Sequence, residues 1–209
     1  AQNLGAACEQ IGARVLHVST DYVFGHGGTR PYTEKDLPAP LSTYGATKLA
    51  GEHLLAAECK EHLIIRSAGL YGTSPCRAKG GKNFVELMLH LAKERGQVKV
   101  VVDEFTTPTF TGALAEQMRL MALKAEPGLY HVTCQGECSW NEFARTIFML
   151  TATEVQLDEA KSADFPSVVK RPSYSVLENA HLKAQKLDIM PDWREGLKRY
   201  LDEKAAAAV

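Results

Sequence analysis

Two short apolar runs constrain the fold of this chain most strongly, because each one ends where polar or loop residues begin. Residues 15–18 lead into the polar residues 19–21, and residues 63–65 lead into the loop residues 66–72. Strands that are buried on both faces of a parallel sheet have this pattern, and their carboxyl ends bring side chains to one edge of the sheet. We therefore expect a parallel sheet with a site at that edge.

The segment between the two runs has the pattern of a loop followed by a helix. Residues 25–41 are rich in glycine, proline and charge, which indicates a loop. Ser42 or Thr43 can cap a helix that continues through Leu55. A strand, a helix and a second parallel strand form a right-handed crossover unit.

Further elements are predicted along the rest of the chain by apolar periodicity and by capping residues. The pattern predicts helices over residues 2–9, 83–95, 111–123, 139–150 and 192–203, and strands over residues 98–102 and 128–133. The fold class is α/β, with part of a doubly wound, Rossmann-like parallel sheet and a smaller lobe toward the carboxyl terminus.

Tyr44 and Lys48 lie four residues apart in the predicted helix and therefore on one face of it. A lysine ammonium beside a phenol stabilises the phenolate form, so Tyr44 can protonate a carbonyl oxygen while a hydride reaches the carbonyl carbon. Thr20, at the end of the first strand, can hydrogen-bond the same oxygen. A Tyr-x-x-x-Lys spacing alone is weak, because any helix can carry a half-buried tyrosine and a solvated lysine by chance.

Other segments make the pattern more specific. The chain resembles the extended short-chain dehydrogenase/reductases and, within them, the family of dTDP-4-dehydrorhamnose reductases. The resemblance is carried by residues 19–24, 31–34, 40–52, 66–72, 83–85, 103–109, 139–143 and 171–177. Because these segments occur in order through almost the whole chain, the resemblance is strong.

The resemblance implies an enzyme that uses NADPH or NADH to reduce the 4-keto group of a nucleotide-linked deoxysugar, as in dTDP-L-rhamnose biosynthesis. Thr20 would orient the carbonyl, Tyr44 would protonate the alkoxide, and Lys48 would assist Tyr44 and hold the nicotinamide ribose. Further implied contacts are those of Val18 and Leu70 with the nicotinamide and those of Asp21, Gly69, Asn83 and Arg171 with the substrate.

Most of these residues have a structural alternative. Thr20 and Asp21 can bond backbone groups in a turn, and Asn83 is in a position to cap a helix. Arg171, beside Lys170, matches the geometry of a substrate diphosphate, but it can equally form a surface ion pair.

Two departures from the family pattern bear on function. The family begins with a glycine-rich turn that holds the dinucleotide pyrophosphate, and no G-x-G-x-x-G run occurs in this sequence. We therefore interpret the chain as the carboxyl-terminal portion of a longer enzyme and expect it to be inactive alone. Gly69 stands where the rhamnose-pathway reductases have a tryptophan that packs on the sugar nucleotide, so the identity of the substrate is left open.

The resemblance also implies a division into domains. Residues 1–72 would form the carboxyl-terminal half of a dinucleotide-binding domain, with residues 98–124 returning to it, and residues 73–209 would form mainly the substrate-binding lobe. A second hypothesis is a non-catalytic, nucleotide-binding regulatory subunit, because the regulatory beta subunit of methionine adenosyltransferase shares both the strand-end and the Tyr-x-x-x-Lys motifs.

Composition excludes several other classes of protein. The 209 residues are 45% hydrophobic and 23% charged with a formal net charge of -1, which argues against a nucleic-acid partner and against a membrane anchor. The odd number of irregularly spaced cysteines suits reduced thiols and a cytoplasmic protein. Cys134 and Cys138 lack the second ligand pair of a zinc site, so no metal is expected. A homodimer is compatible with these features.

The lack of a glycine-rich turn generates the first prediction. Isothermal titration of these 209 residues with NADPH should give little or no heat of binding, because no segment of the sequence offers the phosphate cradle. Tight, saturable binding would show that other residues hold the pyrophosphate.

Overall fold

Helices and strands alternate along the chain in the computed structural model, which describes residues 1–75, 80–165 and 169–207. The helices are α1 (Gln2–Ile11), α2 (Thr43–Glu58), α3 (Phe84–Arg95), α4 (Thr111–Lys124), α5 (Trp140–Leu150), α6 (Ala180–Ala184) and α7 (Trp193–Ala206). The strands are β1 (Val15–Thr20), β2 (His62–Ser67), β3 (Leu70–Tyr71), β4 (Gln97–Val101), β5 (Phe105–Thr106), β6 (Thr109–Phe110), β7 (Gly128–His131), β8 (Cys138–Ser139) and β9 (Gln156–Ala160).

β1, β2 and β7 form a three-stranded parallel sheet in the order β1-β2-β7. Ser19 is the register partner of Arg66, and Arg66 is the partner of His131, so the carboxyl ends of the three strands lie side by side. The connection from β1 to β2 runs through α2, as the strand-helix-strand pattern predicted. The predicted α/β class with a parallel sheet is confirmed.

The other described strands form short pairs. β4 pairs with β9 in parallel, β3 with β6 in parallel, and β5 with β8 in antiparallel orientation. Residues 98–124 were expected to return to the dinucleotide-binding domain, which stays a prediction; β4, within this range, pairs with β9. The strand that joins β2 comes later, as β7, because it follows the crossover helix α4.

A group of aromatic side chains packs α5 and α7 against β3. The ring of Tyr71 lies 5.4 Å from the ring of Phe143 and 5.3 Å from that of Tyr200, measured between centroids. Trp193, on α7, is fully buried against Phe143 at 5.8 Å. Offset and edge-on aromatic contacts of this kind add to the stabilisation that burial provides. The helices α5 and α7 are thereby fixed against the strands.

The amino end of α2 lies tightly against the short 3-10 helix Asp21–Val23 that follows β1. The Ser42 side chain caps α2 by accepting a hydrogen bond from the Gly45 amide at 3.2 Å. A Cβ atom at Gly45 would lie only 2.2 Å from the carbonyl oxygen of Tyr22. Glycine at this position therefore lets the helix approach the end of β1.

Two glycines of α2 generate the second prediction. Gly45→Ala should lower the free energy of unfolding by about 2 kcal/mol or more, because the added methyl group overlaps backbone that cannot move freely. Gly51→Ala, whose Cβ would meet its nearest neighbours at 3.6 and 3.7 Å, should instead raise it by about 0.5–1 kcal/mol. Denaturant unfolding measures both changes, and equal effects would contradict the close approach at Gly45.

Candidate active site

Lys48 joins α2 directly to the end of β1. Its ammonium nitrogen donates a hydrogen bond to the main-chain oxygen of Val18 at 2.5 Å. Tyr44, one turn earlier on α2, is 53% exposed, and its ring lies edge-on to that of Tyr22 with the centroids 6.0 Å apart. Both side chains of the Tyr-x-x-x-Lys motif therefore lie at the carboxyl edge of the sheet.

Thr20 lies at the same edge and is nearly buried. Its hydroxyl oxygen accepts a hydrogen bond from the Tyr22 amide at 3.1 Å, and the hydroxyl donates to the Asp21 carboxylate at 3.1 Å. Thr20 thus caps the 3-10 helix, which is the structural role that its sequence position also allowed. The turn that it caps carries Tyr22 to the ring of Tyr44, and Lys48 bonds Val18, two residues before Thr20, so the three residues lie on adjoining segments at this edge.

Asp21 is a buried carboxyl group at this edge. Burial raises its pKa from the ordinary value of 3.8 to about 6, and hydrogen bonds from Ser175, Thr20 and the local backbone only partly oppose the shift. Ser175 was not among the predicted site residues, although it belongs to one of the segments that carry the resemblance. Its residue type gave no sign that it would reach Asp21 from the far end of the chain.

Arg171 contributes positive charge near the same turn. Burial raises the pKa of Tyr22 to about 12, and the guanidinium of Arg171 partly opposes that rise. Burial also raises the pKa of Glu104, and Arg171 opposes this rise as well. The side chain of Arg171 is itself exposed. The sequence did not predict that Glu104 would be buried, because its burial depends on packing that spacing along the chain does not reveal.

Gly69 and Leu70 follow β2 at the neighbouring strand end. Gly69 has a φ of +55°, and a Cβ atom there would lie 3.0 Å from Cα of Pro108 and 3.1 Å from the carbonyl oxygen of Thr107. A tryptophan would be strained in this backbone conformation. Leu70 is 44% exposed and pairs with Thr109 across the β3-β6 ladder.

Asn83 has a different environment from the other candidates. It is buried at the amino end of α3, where its side-chain oxygen accepts a hydrogen bond from the Glu86 amide at 3.0 Å. Its amide nitrogen donates to the main-chain oxygen of Gly72 at 2.9 Å and to the Tyr200 hydroxyl at 3.0 Å. The structure therefore gives Asn83 the helix-cap role, and the Asn-x-x-Glu spacing of a capping box was the signal for it.

The described residues offer neither a metal site nor a membrane-spanning helix. Within residues 1–75, 80–165 and 169–207, no group of three or more His, Cys, Asp or Glu side chains could hold a metal ion. Burial raises the pKa of the Cys134 thiol to about 11 and raises that of Cys138 further, so both stay protonated. Cys76 lies outside the described residues. Among the described helices, none has the length and apolar character needed to cross a membrane.

Comparisons with known proteins identify a family and several relatives. The family model described as the RmlD substrate binding domain matches residues 1–206. The spore coat polysaccharide biosynthesis protein SpsK of Bacillus subtilis is 40% identical over 199 residues, which are 95% of this chain and 67% of that protein.

Solved structures give the same result. The dTDP-4-dehydrorhamnose reductase of Clostridium acetobutylicum superposes with a TM-score of 0.91 at 41% identity, over 96% of this chain and 69% of the other. The corresponding reductase of Bacillus anthracis, solved in complex with NADP, has a TM-score of 0.89 at 35% identity, over 97% of this chain and 69% of the other.

The buried Asp21 generates the third prediction. Because its folded pKa of about 6 exceeds the unfolded value of 3.8, the wild type loses stability as the pH rises between these values. Asp21→Asn removes this loss, because asparagine does not ionise. The difference in free energy of unfolding, variant minus wild type, should therefore be about 3 kcal/mol more positive at about pH 8 than at about pH 3.

Denaturant unfolding at the two pH values measures this difference. Asp36 provides a control, because its pKa is shifted in the opposite direction. Hydrogen bonds from Arg30 and Thr33 hold the pKa of Asp36 below its ordinary value, so Asp36→Asn should cost stability mainly at the higher pH. A stability difference for Asp21→Asn that does not vary with pH would contradict the raised pKa.

Proposed function

The chain belongs to the RmlD substrate binding domain family, and on that premise we propose that its protein reduces the 4-keto group of a dTDP-linked deoxysugar with NADPH. The membership confirms the resemblance that the motifs indicated. The observation that carries the proposal is the hydrogen bond from Lys48 to the oxygen of Val18, which holds the Tyr-x-x-x-Lys helix on the strand that ends in Thr20.

Three side chains would share the proton chemistry. Thr20 would donate a hydrogen bond to the sugar C4 oxygen, and its hydroxyl would leave Asp21 to do so. Tyr44, half-exposed at the edge, would give its proton to that oxygen as the carbonyl carbon is reduced. Lys48 would stabilise the phenolate left on Tyr44 until water returns a proton. The contribution of these groups is positioning and charge stabilisation.

The exposed apolar surface at the edge fits a nicotinamide ring. Val18, near the end of β1, is 36% exposed, and Leu70, which follows β2, is 44% exposed; Tyr44 on α2 is 53% exposed. A flat ring placed here would cover apolar surface that water otherwise contacts. The bound cofactor would supply the hydride. The residues described here would hold only its nicotinamide end, with Lys48 reaching the ribose.

The polar residues of the turn would hold the sugar nucleotide. Arg171 suits the diphosphate, because a guanidinium forms paired hydrogen bonds with phosphate oxygens. Asp21 would accept hydrogen bonds from sugar hydroxyls. Gly69 offers no apolar face to the sugar, so the substrate would rest on the main chain there. In this arrangement residues 1–72 would mainly serve the cofactor, and residues 73–209 would mainly serve the substrate.

A cytoplasmic location accompanies this proposal. The four described cysteines are all unpaired, which suits a reducing compartment. Relatives named as reductases do not favour the alternative of a regulatory subunit.

Removal of the Tyr44 hydroxyl generates the fourth prediction. In the full-length protein, Tyr44→Phe should lower kcat for NADPH oxidation with a dTDP-4-keto sugar by about 100-fold or more, because a positioned general acid contributes that much. KM should change little. Loss of NADPH absorbance measures both constants.

Tyr130→Phe is the matched control, because its hydroxyl bonds the main-chain oxygen of Glu126 at 2.5 Å near the opposite end of the sheet. It should leave kcat unchanged. An active wild type whose rate survives Tyr44→Phe would refute the role of Tyr44, and an inactive wild type would favour a regulatory protein.

A further inference from the structure

A buried ion pair lies beneath the candidate active site. The carboxylate of Glu52 accepts hydrogen bonds from Arg66, with Nη2 to Oε2 at 2.6 Å and Nε to Oε1 at 3.0 Å. The two side chains are only 4% and 3% exposed. Glu52 also accepts a hydrogen bond from the hydroxyl of Ser19. One carboxylate therefore bonds two neighbouring strands at once, since Ser19 and Arg66 are register partners.

The position of Glu52 relates this ion pair to the catalytic helix. Tyr44, Lys48 and Glu52 follow one another at intervals of four residues on α2, so they lie along one side of the helix. Lys48 bonds Val18 and Glu52 bonds Ser19, which are consecutive residues of β1. Two successive turns of the helix are thus attached to the strand that ends in Thr20.

Arg66 also contacts the segment that follows Thr20. Its guanidinium carbon lies 5.2 Å from the centroid of the Phe24 ring. Phe24 is fully buried and follows the 3-10 helix that Thr20 caps. A cation over an aromatic face is attracted to it. The guanidinium therefore contacts both the helix with the proton donor, through Glu52, and the turn after Thr20.

We propose that the Glu52–Arg66 pair is a positioning device for the reduction, setting the register of α2 on β1 and thereby the placement of Tyr44 and Lys48 relative to Thr20. The proposal rests on the proposed function. A buried ion pair gives little net stability compared with apolar side chains of equal volume, so stability alone does not account for it. Catalysis, in contrast, is sensitive to displacements of about 1 Å.

Glu52→Gln tests the device in the full-length protein. Glutamine keeps the length of the side chain but leaves the guanidinium of Arg66 without a counter-charge. We expect kcat to fall by about tenfold or more, with both KM values within about threefold of wild type. A kcat equal to that of wild type would overturn the proposal, as would losses in kcat that only follow the unfolded fraction.

Glu61→Gln is the matched control. Glu61 pairs with Arg14 at 2.6 Å next to the amino ends of the same two strands, in a partly exposed position. Both kinetic constants should stay near the wild-type values. An equal loss of kcat in this variant would show a general effect of ion pairs on the sheet and would overturn the proposal.

Ser19→Ala keeps the proposal testable if Glu52→Gln does not fold. It removes one bond between α2 and β1 and leaves the ion pair intact. We expect a fall in kcat of a few fold, unchanged KM values and a Tm close to that of wild type. A kcat equal to that of wild type in this variant would overturn the proposed positioning role.

Hydrogen exchange separates this proposal from the proposed function, because it requires no turnover. Amides in the first turns of α2, around Lys48, should exchange severalfold faster in Glu52→Gln than in Glu61→Gln. Equal exchange would refute the positioning role even in an active enzyme. An inactive wild type with faster exchange in Glu52→Gln would refute only the reductase function.

Discussion

The register of β1 on β2 is the constraint on which the rest of the structure depends. Because Ser19 lies opposite Arg66, both side chains meet the carboxylate of Glu52 on one face of the sheet. Side chains alternate along a strand, so a slip of one residue would turn Ser19 away and bring Thr20 toward the helix. The position of Thr20 at the site therefore follows from a pairing that is fixed within the core.

Two buried carboxylates near the strand ends have contrasting environments. Glu52 faces a full guanidinium charge, whereas Asp21 faces neutral hydroxyl and amide donors. Neutral donors offset burial only in part, and the pKa of Asp21 rises to about 6. Asp21 can therefore gain or lose a proton near neutral pH, close to the place where Tyr44 would transfer one. The carboxyl ends of the strands thus lie near both a buried ion pair, Glu52–Arg66, and a titratable group, Asp21.

Local patterns allowed the sequence to predict some elements and not others. The helix α2 was predictable because Ser42 caps it and Tyr44 and Lys48 share its face. The strand β9 was not, because its residues are mostly polar and its partner β4 lies about 60 positions earlier. The resemblance implied a substrate contact for Asn83, but its hydrogen bond to Tyr200 could not be predicted, because the two residues are 117 positions apart in the chain. Contacts of this length depend on packing, which spacing along the sequence does not encode.

The central claim is that Thr20, Tyr44 and Lys48 act together on one carbonyl group. Its most direct test follows the transfer of deuterium from C4-deuterated NADPH to a dTDP-4-keto sugar by NMR, in the full-length protein and in Thr20→Val. The label should appear at sugar C4 with the wild type, and about 100-fold more slowly with the variant, because an oxygen-stabilising donor is lost. Transfer that is absent in the wild type, or unchanged in Thr20→Val, would contradict the claim.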